Sequence, residues 1–237
     1  MFSTVWRGFL KCLGLSLFFV VSGCVTGNLS SPEHLEAAMN KARINVPDDS
    51  GAGWSCSGYY EMFKEFDCAS QFTKKVPVVI HAHGCKGFNH SDETAMDVYK
   101  EMGYAVIAPN SFALGRSDSC YQGNMARTAE IDHALRFALS QDWVDTSTIV
   151  VSGFSEGGLN AAIYDSPLLA AKIVMGYGCH RGGNMSVKTL NIVGLADAVV
   201  GNEVCLGAAK IFRSDSGHHV FVDPESAEVI RAFLRAL

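Results

Sequence analysis

The stretch "IVVSGFSEGGLNAAIY", residues 149–164, joins two kinds of secondary structure around one serine. Its first half holds β-branched apolar residues, which favour a buried strand, and its second half holds good helix formers. Gly153 and Gly157 lie two residues before and two residues after Ser155. In a tight strand-to-helix turn these positions come so close that a Cβ would clash, and the central residue is strained. The stretch therefore predicts that the Ser155 hydroxyl stands exposed at the end of a buried strand.

The rest of the chain shows the same alternation of short apolar runs and amphipathic segments. The sequence predicts strands at 76–82, 104–109, 148–153, 171–178, 189–195 and 209–214, and helices at 93–103, 125–141, 156–164 and 225–237. A further short helix begins after Ser31, which is a good cap and is followed by proline. Strands that alternate with helices indicate a parallel sheet covered on both faces. We therefore predict an α/β domain with a mostly parallel sheet of six to eight strands and no large cap domain.

A serine is a weak nucleophile unless a base and an orienting acid assist it. Reactive groups of such sheets lie at the carboxyl ends of the strands, and the expected chain order is serine, acid, histidine. Asp197 follows the predicted strand 189–195, and His218 precedes the last helix. We predict the catalytic triad Ser155, Asp197 and His218, although Asp197 could instead cap the segment that follows it.

Three neighbouring residues compete for these roles. Asp215 and Asp223 are weaker acid candidates because neither directly follows a predicted strand. His219 competes with His218, and because adjacent side chains point in different directions only one of the two can face the serine.

The tetrahedral intermediate of acyl transfer needs two backbone N–H donors for its oxyanion. One is expected from Glu156, directly after the serine, and the other from the loop after the strand 76–82. That loop reads "HGCKG", and its glycine lets the backbone approach a substrate closely. We predict an oxyanion hole formed by the N–H groups of Cys85 and Glu156.

These motifs together resemble the α/β-hydrolase superfamily, and more narrowly the dienelactone hydrolase-like proteins. The resemblance spans about residues 75–237 and is carried by "VVIHAHGCKG", "GYAVIAPNSF", "GFSEGG", "GLADAVV" and "GHHVF". It implies hydrolysis of small or medium esters, lactones or thioesters through an acyl-enzyme, without a metal or an organic cofactor. Dienelactone hydrolase itself uses a cysteine nucleophile, whereas this sequence has Ser155. Two alternatives stay open: an acyltransferase that uses the same acyl-enzyme, and a binding lipoprotein whose triad is inert.

Other polar residues lie near the ends of predicted strands and are candidate ligands. His180 and Arg181 follow the predicted strand 171–178 and are candidates for contacting an acidic group of a substrate. His81 and His83 alternate on a buried strand, where histidines more often pack in the core than bind a metal, and we predict no metal site.

The first residues predict export. Basic residues without an acid precede an apolar run at 12–21, which is too short to span a bilayer alone, and "VSGC" then resembles the lipobox of bacterial lipoproteins. The resemblance implies a signal peptide at 1–23 and a lipid on Cys24. The residue pattern then predicts a tether with a short helix at 24–53 and the hydrolase domain at 54–237. Val25 favours sorting to an outer membrane, facing the periplasm or the outside. An ordinary secretory signal or an uncleaved anchor are the alternatives.

Export places six further cysteines in an oxidising compartment. Six cysteines allow 15 pairings, and the most local set is Cys56–Cys68, Cys85–Cys120 and Cys179–Cys205. The alternative is six buried thiols.

Charge also limits the partners: with a net charge of −5 and interspersed acids and bases, the chain lacks the basic face that nucleic acid requires.

Overall fold

The computed structural model describes residues 30–53, 56–115, 126–180 and 182–237. Within these ranges the strands are β1 (Arg43–Asn45), β2 (Gly58–Tyr59), β3 (Val76–Ala82), β4 (Ala105–Ala108), β5 (Val144–Phe154), β6 (Ala171–Met175), β7 (Lys188–Gly194) and β8 (Lys210–Ser214). They form one sheet in the order β2-β1-β4-β3-β5-β6-β7-β8. Strands β3 to β8 pair in parallel, whereas β1 is antiparallel to both of its neighbours.

Helices cover both faces of this sheet. The α-helices are α1 (Pro32–Asn40), α2 (Tyr60–Glu65), α3 (His90–Glu101), α4 (Ala126–Leu139), α5 (Glu156–Ile163) and α6 (Glu225–Leu234). Ile131 of α4 and Ala161 of α5 are buried in the core on one face of the sheet. Met96 of α3 and Ile230 of α6 are buried in the core on the other face. The predicted mostly parallel sheet with helices on both faces is confirmed, and the described residues form no large cap domain.

The central strands are buried on both sides, which explains why they read as continuous apolar runs rather than alternating ones. Residues 78–80 of β3 and 149–151 of β5 are fully buried, and β5 pairs with β3 on one side and β6 on the other. The turn that carries Ser155 therefore projects from the middle of the sheet, where its backbone is held from both sides.

Several element boundaries differ from those predicted. Strands β1 and β2 were not predicted, and β1 lies in the segment 24–53 that we expected to form a tether and a short helix. Helix α3 begins at His90 rather than at residue 93, because Asn89 and Asp92 form a capping box at its start. Strand β5 begins at Val144, four residues before the predicted start.

Two of the expected disulfides are present. Cys56–Cys68 joins two segments with Cα atoms 5.6 Å apart, and Cys179–Cys205 has a Cα separation of 4.8 Å. The latter ties the loop after β6 to the loop after β7. The expected pair Cys85–Cys120 includes Cys120, which lies outside the described residues.

The predicted signal peptide and the lipidated Cys24 also lie outside the described residues. In the part of the chain that is described, every helix is too short or too polar to cross a bilayer.

Candidate active site

The sharp turn between β5 and α5 holds Ser155 in a strained conformation. Ser155 has φ +55° and ψ −114°, a region that residues other than glycine seldom adopt. A Cβ added to Gly153 would lie 2.2 Å from the carbonyl oxygen of Gly157, and one added to Gly157 would lie 1.9 Å from that of Ala82. Both positions therefore require glycine. At Gly153 a side chain would collide with the backbone of the turn itself, and at Gly157 it would collide with the end of the neighbouring strand β3.

The imidazole of His218 lies between the serine and an aspartate. Its Nε2 is 2.8 Å from Ser155 Oγ, and its Nδ1 is 2.8 Å from Asp197 Oδ2. The carboxylate is buried, whereas the imidazole keeps 15% of its surface exposed. The three side chains thus form a continuous chain of hydrogen bonds that ends at an accessible hydroxyl. With the proton on Nδ1 facing the carboxylate, Nε2 is left to accept a proton from the serine.

Asp197 has two roles in this arrangement. Its Oδ1 accepts hydrogen bonds from the N–H groups of Val199 and Val200, at 2.8 and 3.1 Å, and so caps the turn after β7. Its Oδ2 is left for His218. The capping and the catalytic interpretations of this residue are compatible, because each uses a different oxygen.

The loop that carries His218 is pressed against the end of β7. A Cβ added to Gly194, the last residue of that strand, would lie 2.0 Å from the carbonyl oxygen of Gly217. The phenyl ring of Phe154 packs 5.0 Å from the imidazole, centre to centre. Backbone contact on one side and ring packing on the other therefore fix the position of His218.

The competing residues have other partners. His219 Nδ1 lies 3.2 Å from Ser91 Oγ on α3. The Asp223 carboxylate accepts hydrogen bonds from the N–H groups of Asp215 and Glu225. Of the two histidines it is His218 that lies against Ser155, and the acid in contact with it is Asp197.

A cavity of about 490 Å³ opens beside Ser155 and His218. Cys85 and Glu156, the expected oxyanion donors, both line it, as does His180. The other side chains that shape it are mostly apolar: Phe154, Leu159, Tyr177, Val199 and Val200, with Lys86, Asn89 and His219 as polar neighbours. Arg181 lies outside the described residues. The cavity volume lies within the range of about 300–1,000 Å³ that is typical of small-molecule sites.

The loop of Cys85 is held from the start of α3. The Gly84 N–H donates to the Asp92 carboxylate at 3.3 Å, and the same carboxylate lies 3.0 Å from His81 Nε2. Asp92 was not singled out in the sequence, although its spacing from Asn89 fits a capping box. His81 and His83 are buried, as expected for core residues. In the described ranges no three His, Cys, Asp or Glu side chains are grouped to hold a metal ion.

Comparison with known proteins supports the fold but does not identify the chain. No protein-family model and no curated protein matches the sequence. Among solved structures, the chain is similar to Est1E from Butyrivibrio proteoclasticus, at 14% identity and a TM-score of 0.59, covering 82% of this chain and 93% of that one. It is also similar to an α/β serine hydrolase without a lid from Xanthomonas campestris, at 16% identity and a TM-score of 0.55, covering 82% and 86%.

A third solved structure is an α/β serine hydrolase homologue from Coxiella burnetii, at 18% identity and a TM-score of 0.55, covering 83% of this chain and 90% of that one. Likeness at such low identity is informative about the fold. The chain has the α/β-hydrolase fold, with a mostly parallel eight-stranded sheet.

Proposed function

We propose that this protein is a serine hydrolase that cleaves carboxylic esters, lactones or thioesters of small or medium size through an acyl-enzyme. The observation that supports this most is the position of His218, which lies 2.8 Å from both Ser155 Oγ and Asp197 Oδ2. Two short contacts of this kind on one imidazole, at the mouth of a cavity, are the arrangement that activates a serine.

In the proposed reaction His218 Nε2 takes the Ser155 proton while Oγ attacks the acyl carbon. The carbonyl π electrons move to the oxygen, and the resulting oxyanion accepts hydrogen bonds from the Cys85 and Glu156 N–H groups. Asp197 stabilises the imidazolium that forms. The intermediate collapses, the bond from the acyl carbon to the leaving oxygen or sulfur breaks, and His218 protonates that group, which leaves an acyl ester on Ser155. The imidazole then takes a proton from water as the water oxygen attacks the acyl carbon. The bond to Ser155 Oγ breaks, His218 returns the proton to Oγ, and the acid is released.

The cavity bounds the substrate. Its size suits a small or medium acyl group, and its apolar wall from Leu159, Tyr177, Val199 and Val200 suits a hydrocarbon rather than a sugar. A structure of Est1E, one of the similar proteins, contains ferulic acid, at a TM-score of 0.56 and 13% identity. An aromatic ester therefore belongs among the substrates to be tested. The narrower dienelactone hydrolase-like activity stays a proposal.

Labelling with a fluorophosphonate tests the proposal because only an activated serine reacts with it. The parent protein should be labelled and Ser155→Ala should not. Ser147→Ala removes an exposed hydroxyl from β5, the strand that leads to Ser155, and should label as the parent does. A series of p-nitrophenyl esters from acetate to octanoate, with methyl ferulate beside them, should give a rate maximum within that range. Absence of labelling would favour the inert binding protein, and transfer to an added alcohol in place of hydrolysis would favour an acyltransferase.

We also propose that the protein is exported and anchored by a lipid on Cys24 in the envelope of a bacterium. The disulfides Cys56–Cys68 and Cys179–Cys205 support this, because such bonds persist in oxidising compartments. Expressed full length, the parent should appear in the outer-membrane fraction, and Cys24→Ala should be lost from it. Cys12→Ala, in the leader that would be removed, is the matched control. A Cys24→Ala protein that stays in the outer-membrane fraction would refute the lipid anchor.

A further inference from the structure

One buried cation close to the site has no part in the mechanism above. Arg127 lies near the start of α4, and only 1% of its side chain is exposed. Its guanidinium donates to the carbonyl oxygens of His83 and Gly84, the latter at 3.2 Å, and lies 3.1 Å from the Glu156 carboxylate. A buried charge is costly unless it is paired and hydrogen-bonded. The two Nη groups of Arg127 face the two segments that meet at the oxyanion site.

The first segment is the loop after β3. The Gly84 carbonyl and the Cys85 N–H belong to one peptide group, and no peptide bond in the described residues is cis. In a planar trans peptide these two groups point in opposite directions. A guanidinium that holds the Gly84 oxygen in the interior therefore turns the Cys85 N–H outward, on the side of the cavity that Cys85 lines.

The same carbonyl also accepts hydrogen bonds from the Gly87 N–H, at 3.2 Å, and from the imidazole of His83. Its Nδ1 is 2.7 Å from the Gly84 oxygen, while its Nε2 accepts a hydrogen bond from the Ser111 N–H at 3.2 Å. These partners place the proton on Nδ1. Three donors on one carbonyl, one of them a cation, draw electron density away from the attached N–H. Linked hydrogen bonds strengthen one another in this way.

The second segment is the start of α5. Glu156 follows the nucleophile and begins the helix, so its N–H lies at the helix end that faces Ser155. Its carboxylate is turned into the interior and paired with Arg127. One guanidinium is therefore in contact with the Gly84 carbonyl, which shares a peptide group with the Cys85 N–H, and with the side chain of Glu156, the other expected donor.

We propose that Arg127 is a positioning residue of the oxyanion site, which rests on the hydrolase function proposed above. It fixes the direction of the two donor peptides relative to each other and polarises the one at Cys85. It does not touch the substrate. Such an effect favours the transition state, where the charge on oxygen develops, over the neutral ester.

Kinetics of two variants separate this role from a merely structural one. Loss of one oxyanion donor costs about 10²–10³ in kcat in other enzymes. Arg127→Met should therefore lower kcat for p-nitrophenyl butyrate about 30- to 300-fold and change KM less than threefold. Arg127→Lys keeps the charge but not the planar guanidinium that reaches both partners. Its kcat should lie between that of the parent and that of Arg127→Met. Arg136→Met, on the exposed side of the same helix, is the control and should match the parent.

A trifluoromethyl ketone with the same acyl chain supplies a second readout. Ser155 Oγ adds to its carbonyl, the proton goes to His218, and the oxygen becomes an oxyanion in the proposed site. The Ki of this inhibitor should rise in Arg127→Met by the same factor by which kcat/KM falls. A variant that is merely less folded would lower the apparent kcat and leave the Ki unchanged, because the Ki does not depend on the fraction of active protein.

Folding is checked by circular dichroism and urea unfolding. If Arg127→Met does not fold because Glu156 is left unpaired, Arg127→Met/Glu156→Met removes both charges, which buried pairs often tolerate. A folded single or double variant with kcat within threefold of the parent would overturn the proposal, as would a Ki that does not follow kcat/KM. If neither methionine variant folds, Arg127→Lys decides the question. A kcat of Arg127→Lys equal to that of the parent would overturn the proposal. A parent that neither labels nor hydrolyses esters refutes the proposed function instead.

Discussion

Replacing Asp197 by asparagine tests the proposed triad with the smallest change in shape. Oδ1 of Asp197 accepts hydrogen bonds from the N–H groups of Val199 and Val200. The amide oxygen of asparagine can accept the same two hydrogen bonds. The amide nitrogen cannot, because it is itself a donor and would face two N–H groups. The turn therefore places the Asn Nδ2 where Oδ2 now faces His218 Nδ1 at 2.8 Å.

That orientation reverses the hydrogen bond on the histidine. The amide donates, so Nδ1 must accept, and the imidazole proton moves to Nε2, which faces Ser155. A histidine that already carries a proton on this nitrogen cannot take one from the serine. The corresponding exchange in a serine protease lowers kcat about 10⁴-fold, or about 5 kcal/mol of transition-state stabilisation, and we expect a loss of that size here.

The assay is hydrolysis of p-nitrophenyl butyrate at neutral pH, with urea unfolding in parallel. The free energy of unfolding of Asp197→Asn should lie within about 1 kcal/mol of that of the parent, because the turn keeps its hydrogen-bond acceptor. Asp197→Ala should lose the activity and also about 1–3 kcal/mol of stability, since two turn N–H groups lose their partner. An Asp197→Asn protein that retains more than a tenth of the parent kcat would show that Asp197 does not set the tautomer of His218.

Three further changes have expected outcomes. Gly157→Ala should lower the free energy of unfolding by about 3 kcal/mol or more, because its Cβ would lie 1.9 Å from the Ala82 carbonyl oxygen; a loss under 1 kcal/mol by urea unfolding would contradict this. His219→Ala should keep kcat within about threefold, since the ring of His219 contacts Ser91 rather than the nucleophile; a hundredfold loss would refute the choice of histidine. Burial lowers the pKa of Lys172 in the folded protein. Between this lowered pKa and the ordinary lysine value of about 10.5, the unfolded chain binds more protons than the folded one. The free energy of unfolding should therefore rise with pH over that range. Lys172→Met should show a smaller rise over the same pH range, and an unchanged slope would contradict the assignment.

The parts of the fold that the sequence predicted are those written in local patterns. The buried runs of β3 and β5 and the pair of glycines around Ser155 are features of contiguous residues. The strand-to-helix turn could therefore be located without knowing what packs on it. The order of serine, acid and histidine then limited Asp197 and His218 to loops that follow strands.

The parts that the sequence did not predict depend on contacts between distant residues. Strand β1 has three residues and β2 has two, too few for a period of two to be recognised. From the sequence, Arg127 is expected on the exposed side of an amphipathic helix, because none of its neighbours along the chain indicates that it is buried. Its partners Gly84 and Glu156 lie 43 and 29 positions away, and only the packing of α4 against the sheet brings them together.

Backbone contact, more than side-chain contact, sets the geometry of the proposed site. The nucleophile is placed by Gly157, which lets α5 rest on the end of β3, and the histidine by Gly194, which lets the loop before α6 rest on the end of β7. Side chains at these two positions would separate the loops that carry Ser155 and His218. Because main chain is less free to move than a side chain, the 2.8 Å contact between these residues is set before any substrate binds. Such preorganisation is what allows hydrogen bonds to favour a transition state without further rearrangement.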